Sequence, residues 1–95
     1  YGLTETYGHI LHCAWNSSWN DLSKDEKAEI KAQQGIRYPH TEEVVVLDPQ
    51  TYKHVPMDGK TIGEIMVRGN TVMKGYYKNH EATKKNYEKR MVSLW

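Results

Sequence analysis

The chain has 95 residues, 38% of them hydrophobic, with seven Tyr, three Trp, one Cys and no Phe. That length holds one domain at most, and a chain of this size buries only about two thirds of its unfolded surface, so its margin of stability is thin. Thirteen basic residues against twelve acidic ones leave a net charge of +1, which excludes the strong field that nucleic-acid or membrane-surface partners require.

Other features narrow the class further. No stretch approaches the roughly 20 apolar residues of a membrane span. Cys13 is alone, so it forms neither an internal disulfide nor a CxxC pair. The first residue is Tyr1 rather than Met, which leads us to expect an interior fragment, a processed product or an incomplete gene model. No basic-then-apolar leader is visible, and Ser93-Leu94-Trp95 is not a Ser-Lys-Leu address.

In chain order, Tyr1 to Gly8 is polar and punctuated by glycine, and reads as a loop. His9 to Trp15 is mildly apolar and reads as a short helix or an extended piece. Trp15, Trp19 and Leu22 are expected to pack, because the polar residues between them cannot. Asn16-Ser17-Ser18 matches a glycosylation sequon, a short pattern that arises by chance where no secretory signal accompanies it. Ser23 opens the clearest helix: Ser23 and Glu26 form a capping box, Lys24 to Gln34 are mostly good helix formers, and Gly35 stands where a left-handed cap belongs. Its apolar face holds only Ala28, Ile30 and Ala32, so it is expected to be mostly solvated.

Glu43 to Asp48 reads as a strand whose run of Val44, Val45, Val46 and Leu47 suggests burial on both faces. Asp48-Pro49 ends it, Tyr52 to Val55 offers a second strand, and Pro56-Met57-Asp58-Gly59 is a turn. Gly63 to Arg68 reads as a third strand, with Ile65 and Val67 on one face and Glu64, Met66 and Arg68 on the other. Gly69 to Gly75 is a loop or broken strand. Asn79 caps a last helix over about Glu81 to Arg90, with Thr83, Tyr87 and Met91 on its inner stripe. The Lys-rich run from Lys84 to Arg90, interrupted by Glu88, is a solvated helix face. The fold class expected is α+β: an antiparallel sheet or partial β-barrel with two helices. We read it as one partial domain, with residues 1–35 a loop and helix, 36–78 a β-rich part, and 79–95 a helix and tail.

Tyr1-Gly2-Leu3-Thr4-Glu5 sets a stackable ring, a flexible glycine, a hydroxyl and a carboxylate within five residues. A ring stacks on a base, glycine admits close backbone approach, a hydroxyl donates to phosphate, and a carboxylate holds Mg²⁺, which takes oxygen ligands. On spacing alone an ordinary polar terminus fits as well. A second segment follows: Gly63-Glu64-Ile65-Met66-Val67-Arg68-Gly69, then Gly75-Tyr76, then Glu81-Ala82-Thr83.

Together the two segments resemble the adenylate-forming superfamily that includes acyl-CoA synthetases, 4-coumarate–CoA ligases and luciferases. The first looks like its Tyr-Gly-x-Thr-Glu motif and the second like its Gly-Glu…Gly…Gly-Tyr…Glu-x-Thr motif. Gly59 to Asn70 is most similar to the short- and medium-chain acyl-activating enzymes of plants and some bacteria. The resemblance runs from Tyr1 to about Thr83. It implies a slice of the large N-terminal domain of such an enzyme, which activates a carboxylic acid with ATP to an acyl-adenylate and passes the acyl group to coenzyme A. It implies that Tyr1 stacks on adenine, Gly2 lies against the acyl group, Thr4 meets the phosphate and Glu5 ligates Mg²⁺. Thr4 and Glu5 are then the catalytic residues, Tyr1, Gly2 and Thr4 the cofactor-binding ones, and Glu5 the metal ligand. ATP, Mg²⁺ and coenzyme A are the cofactors, a small carboxylic acid the substrate, and an intracellular location, cytoplasmic or peroxisomal, the setting. Glu64, Gly69, Gly75 and Tyr76 look structural.

The sequence departs from the family in places. His9 and His80 stand where the family commonly has Pro, and Lys89 to Trp95 replaces the expected Gly-Trp and Gly-Asp stretch. A phosphate loop would lie upstream of Tyr1, and the mobile C-terminal domain with its catalytic Lys would lie downstream. His9, His12 and Cys13 fall short of the three or four ligands a zinc site needs. The rival to a ligase slice is a truncated paralogue that acts as a small interaction module or has no stable function. A purified 95-residue chain is expected to show no ATP–pyrophosphate exchange above background; clear exchange would contradict that expectation.

Overall fold

The structure is a computed structural model, and it describes residues 1–87 and 92–93. Its elements in chain order are β1 (Gly2–Leu3), a 3₁₀ turn (Thr4–Thr6), β2 (Gly8–His9), β3 (Leu11–His12), a second 3₁₀ turn (Ser17–Asp21), α1 (Lys24–Ala32), β4 (Ile36–Arg37), β5 (Thr41–Leu47), β6 (Glu64–Gly69), α2 (His80–Tyr87) and β7 (Val92–Ser93). The strands form three separate antiparallel sheets, β1–β2, β3–β4 and β5–β6–β7. None of them closes into a barrel, so the fold is α+β with small open sheets.

The stretch from Tyr1 to Gly8, expected as a loop, is a miniature hairpin. Gly2 pairs with His9 and Leu3 with Gly8. A Cβ on Gly2 would run into the Gly8 carbonyl, so only glycine admits this approach. Thr6, 1% exposed, closes the turn. Its hydroxyl accepts from Leu3 N–H at 3.0 Å and lies 2.8 Å from the Gly8 carbonyl. Beyond it the chain is extended rather than helical, and Ile10 is fully buried.

The helix α1 starts where the capping box places it. Ser23 Oγ accepts from Glu26 N–H at 3.2 Å, and Glu26 accepts from Ser23 N–H at 2.9 Å. That backbone bond holds the Glu26 carboxyl below its ordinary pKa. The helix ends at Ala32, two residues short of the expected end, with an extended Gln33 as its cap. Gly35 does take a positive φ of 81°, but its use is elsewhere. A Cβ there would strike the His12 backbone, so the glycine lets β4 lie against β3. Asn16 caps the preceding 3₁₀ turn, accepting from Ser18 N–H at 3.0 Å. Trp15 and Trp19 pack edge to face at 5.4 Å.

The main sheet pairs β5 directly with β6, from Thr41 opposite Gly69 to Leu47 opposite Glu64. Tyr52 to Val55 is not a strand. It returns beside β5 through a single bridge, Leu47 to His54, and the Asp48 carboxylate, accepting from Gln50 and Thr51 N–H at 2.9 and 2.8 Å, turns the chain there. The Asp58 turn is built the same way, from Lys60 and Thr61, and these bonds bring the Asp58 carboxyl down to about 2. In β6 both Met66 and Val67 are buried, one from each face. In β5, burial on both faces is not reached, since Val46 is 39% exposed. Val46 lines a broad apolar groove with Ile36, Val44, Val55 and Met57. The strands β4 and β7 were not foreseen. Of the last expected helix, residues 88–90, and Met91 of its inner stripe, lie outside the described residues.

The hydrophobic core is correspondingly thin: among the described residues only Ile10, Met66 and Val67 are buried apolar side chains. The radius of gyration is 15.5 Å, against about 12 Å for a compact chain of this length. Ile10→Ala is expected to cost about 2–5 kcal/mol, enough to abolish a cooperative urea transition in so marginal a chain. Ile36→Ala, at a side chain 60% exposed, should move that transition by less than about 0.5 kcal/mol.

Candidate functional site

The β1–β2 hairpin presents Gly2, Leu3, Thr4, Gly8 and His9 around an open pocket of about 300 Å³. Thr4 is exposed, and among the described residues its hydroxyl has no hydrogen-bond partner. Its carbonyl accepts from Tyr7 N–H at 3.1 Å, which places Tyr7 in the left-handed region at φ 53°. Tyr1 is held from behind. Its nitrogen donates to the Leu11 carbonyl at 2.9 Å, and its carbonyl accepts from Ile10 N–H at 2.8 Å and Leu11 N–H at 3.1 Å. The Tyr1 hydroxyl is buried, with no hydrogen-bond partner among the described residues.

Glu5 turns to a different neighbour. Its carbonyl accepts from Met73 N–H at 2.8 Å. Its carboxylate accepts from the Tyr76 hydroxyl at 3.2 Å, across 71 residues of sequence. So the five-residue motif is not one cluster: Gly2 and Thr4 share the pocket, Tyr1 lies on the β3 side, and Glu5 meets the loop after β6. Among the described residues Glu5 forms no ion pair, so its charge is not cancelled locally.

That loop is itself held by α2. Tyr76 N–H donates to Thr83 Oγ1 at 2.9 Å, and Thr83 Oγ1 donates to the Asn79 carbonyl at 2.8 Å. Asn79 caps α2 by accepting from Ala82 N–H at 3.1 Å. Gly75, at φ 156°, has no room for a Cβ because Thr83 fills the space. The Gly-Tyr and Glu-x-Thr parts of the second motif are thus one hydrogen-bonded unit. Near it, Asn86 Nδ2 lies 3.5 Å from Tyr76 Oη, and the buried Tyr87 hydroxyl has no partner among the described residues. Burial first, and the Glu5 carboxylate second, push the Tyr76 phenol above its ordinary pKa.

Sequence reasoning placed Tyr76 among structural residues and did not find its contact with Glu5. It also passed over Thr6, Thr83 as a partner for Tyr76, and Asn86. The one signal available was the pairing of Gly75-Tyr76 with Thr83 at short range; the link to Glu5 needed three dimensions. The expected replacement of Pro by histidine is harmless at His80, which is the first residue of α2. His9 extends β2, and His40 Nε2 lies 3.1 Å from its carbonyl.

The described residues bring no three His, Cys, Asp or Glu side chains together as a metal cluster. The His12 ring packs at a tilt of 37° against Tyr38, 4.4 Å between centroids, and Cys13 donates to the Ile30 carbonyl at 3.4 Å. Among the described residues no helix is long and apolar enough to cross a membrane.

The family described as AMP-binding enzyme matches residues 1–77. A peroxisomal acetate/butyrate–CoA ligase of Arabidopsis thaliana is 53% identical over 87 residues, which is 92% of this chain and 15% of that protein. An acetate–CoA ligase of Humulus lupulus is 48% identical over 87 residues, 92% of this chain and 15% of that protein. A peroxisomal trans-cinnamate:CoA ligase of Petunia hybrida is 49% identical over 82 residues, 86% of this chain and 14% of that protein. The chain therefore spans about 15% of the length of the curated relatives it matches. Thr83→Val, which leaves the Tyr76 N–H unpaired, is expected to cost about 1 kcal/mol in a thermal melt, and Thr83→Ser to restore most of it.

Proposed function

The chain belongs to the AMP-binding enzyme family, and from that premise we propose that it is a segment of an AMP-forming acyl–CoA ligase carrying part of the nucleotide site. In this reading Tyr1 stacks on the adenine, Gly2 faces the acyl group, Thr4 donates to the phosphate, and Glu5 ligates Mg²⁺. The single observation that supports it most is the joining of both motifs at Glu5, through Met73 N–H and the Tyr76 hydroxyl. A motif that were only a chance string would have no reason to be clasped by the other.

The residues present fit the group. Mg²⁺ takes one or two protein carboxylates and otherwise substrate phosphates and water. Glu5 is one carboxylate, half-buried and without an ion-pair partner among the described residues. Mg²⁺ held there supplies positive charge against the phosphate oxygens. The exposed Thr4 hydroxyl stands free to donate to a phosphate oxygen. Gly2 and Gly8 keep the pocket floor bare of side chains. In the first half-reaction the substrate carboxylate attacks the α-phosphate of ATP and pyrophosphate leaves. In the second the thiol of coenzyme A attacks the acyl carbon and AMP leaves. The contribution of this segment is positioning and charge complementarity at the phosphate.

The names of the relatives support small carboxylic acids as substrates, acetate, butyrate and cinnamate among them, and several carry a peroxisomal label. We take the substrate to be a small carboxylic acid, and the setting to be peroxisomal or cytoplasmic. The division into 1–35, 36–78 and 79–95 within one partial domain belongs to the same proposal. The apolar groove beside β5 suits a segment that packs against further protein, and the 95-residue chain by itself is then inactive.

The test is a graft. Replacing the matched residues of the Arabidopsis acetate/butyrate–CoA ligase with this chain's 87 aligned residues should preserve ATP–pyrophosphate exchange. Glu5→Gln in the grafted enzyme should lower the exchange rate by roughly 10²–10³-fold, the size of one lost electrostatic group. A Glu5→Gln graft as active as its parent would count against the reading.

A further inference from the structure

We propose that Tyr76 is a positioning residue for Glu5, its phenol aiming the carboxylate while the Gly75–Asn79–Thr83 latch aims the phenol. The inference rests on the reading of Glu5 as the carboxylate that meets Mg²⁺.

Four observations carry it. Tyr76 Oη lies 3.2 Å from Glu5 Oε1. Asn86 Nδ2 approaches the same phenol oxygen at 3.5 Å, so the oxygen accepts from Asn86 and its own hydrogen is left for Glu5. The backbone at Tyr76 is fixed by its N–H bond to Thr83 Oγ1 at 2.9 Å, and Thr83 is fixed in turn by the Asn79 carbonyl at 2.8 Å. The backbone at Glu5 is fixed by Met73 N–H at 2.8 Å. Both ends of the contact are therefore anchored, and the side-chain hydrogen bond sets the remaining torsions of Glu5.

The chemical choice of partner matters. A lysine or arginine would orient the carboxylate and also neutralise it, in competition with a divalent cation. A phenol orients it and leaves its charge intact. One hydrogen bond occupies one lone pair of Oε1, which leaves Oε2 and the other lone pairs of the carboxylate for a metal and its waters.

Tyr76→Phe removes the hydroxyl and little else, and Mn²⁺ in place of Mg²⁺ makes metal binding visible by nuclear magnetic resonance. In the 95-residue chain, Mn²⁺ should broaden the Thr4 to Thr6 amides, and Tyr76→Phe should require several-fold more Mn²⁺ for equal broadening. In the grafted ligase, Tyr76→Phe should raise the Mg²⁺ concentration for half-maximal exchange by roughly 10-fold, the scale of one hydrogen bond to a charged group. The rate at saturating Mg²⁺ should change less. On a Glu5→Gln background the same substitution should add less than about 2-fold, because coupled residues are not additive. An unchanged metal requirement in both proteins, or an undiminished effect on the Glu5→Gln background, would overturn the role of Tyr76 and leave the ligase reading standing. A Glu5→Gln graft with full exchange would overturn both.

Discussion

The arrangement depends on one clasp, in which the loop after β6 grips Glu5. Met73 N–H holds its carbonyl at 2.8 Å and the Tyr76 hydroxyl holds its carboxylate at 3.2 Å. The other ties run to the segment that enters β5: Tyr38 N–H donates to the Ile10 carbonyl at 2.9 Å, His40 Nε2 lies 3.1 Å from the His9 carbonyl, and the Thr41 hydroxyl lies 3.5 Å from the Ile10 carbonyl. The clasp uses backbone and side chain together, so it fixes both where Glu5 sits and which way it points. In the proposed reading, where Glu5 meets a phosphate-bound cation, both matter, since misplacement of a charged group by an ångström costs much of its effect.

Around that clasp the molecule is lightly built. Three buried apolar side chains, Ile10, Met66 and Val67, form the interior of the described residues. The helix α1 buries nothing, and α2 contributes Thr83 and Tyr87 only at half depth. Exposed Ile36, Val46 and Met57 border the groove beside β5. Much of the local order comes instead from side chains that satisfy backbone groups: Ser23 and Glu26, Asn16, Asp48, Asp58, Asn79 and Thr83. Such bonds define turns and helix starts but exclude little water, so they specify shape more than they supply stability. This balance accords with the proposal that the chain is a segment of an acyl–CoA ligase.

Local features were legible in the sequence to the degree that they are chemically local. The capping box at Ser23, the cap at Asn79, the turn at Asp58 and the strand at Val44 to Leu47 each depend on neighbours within a few residues. The antiparallel α+β class followed from them. The hairpin at Gly2 to His9 was hidden because its strands are two residues each and have no periodicity to read. Tyr52 to Val55 has strand-like composition, but a single bridge replaces a ladder. At the candidate site, Tyr1, Gly2, Thr4 and Glu5 were legible as a motif. Their separation into a pocket pair, a back-anchored Tyr1 and a clasped Glu5 was not, because it is decided by contacts with Leu11, Met73 and Tyr76.

The clasp is open to direct observation through the amide of Met73, whose N–H points at the Glu5 carbonyl. Amide hydrogen exchange at Met73 should be slowed to a degree comparable with β6, and far below the rate of the solvent-facing loop at Met57 to Lys60. Exchange at Met73 as fast as in that loop would mean that the two motifs do not meet, and the account of a preset carboxylate would fail.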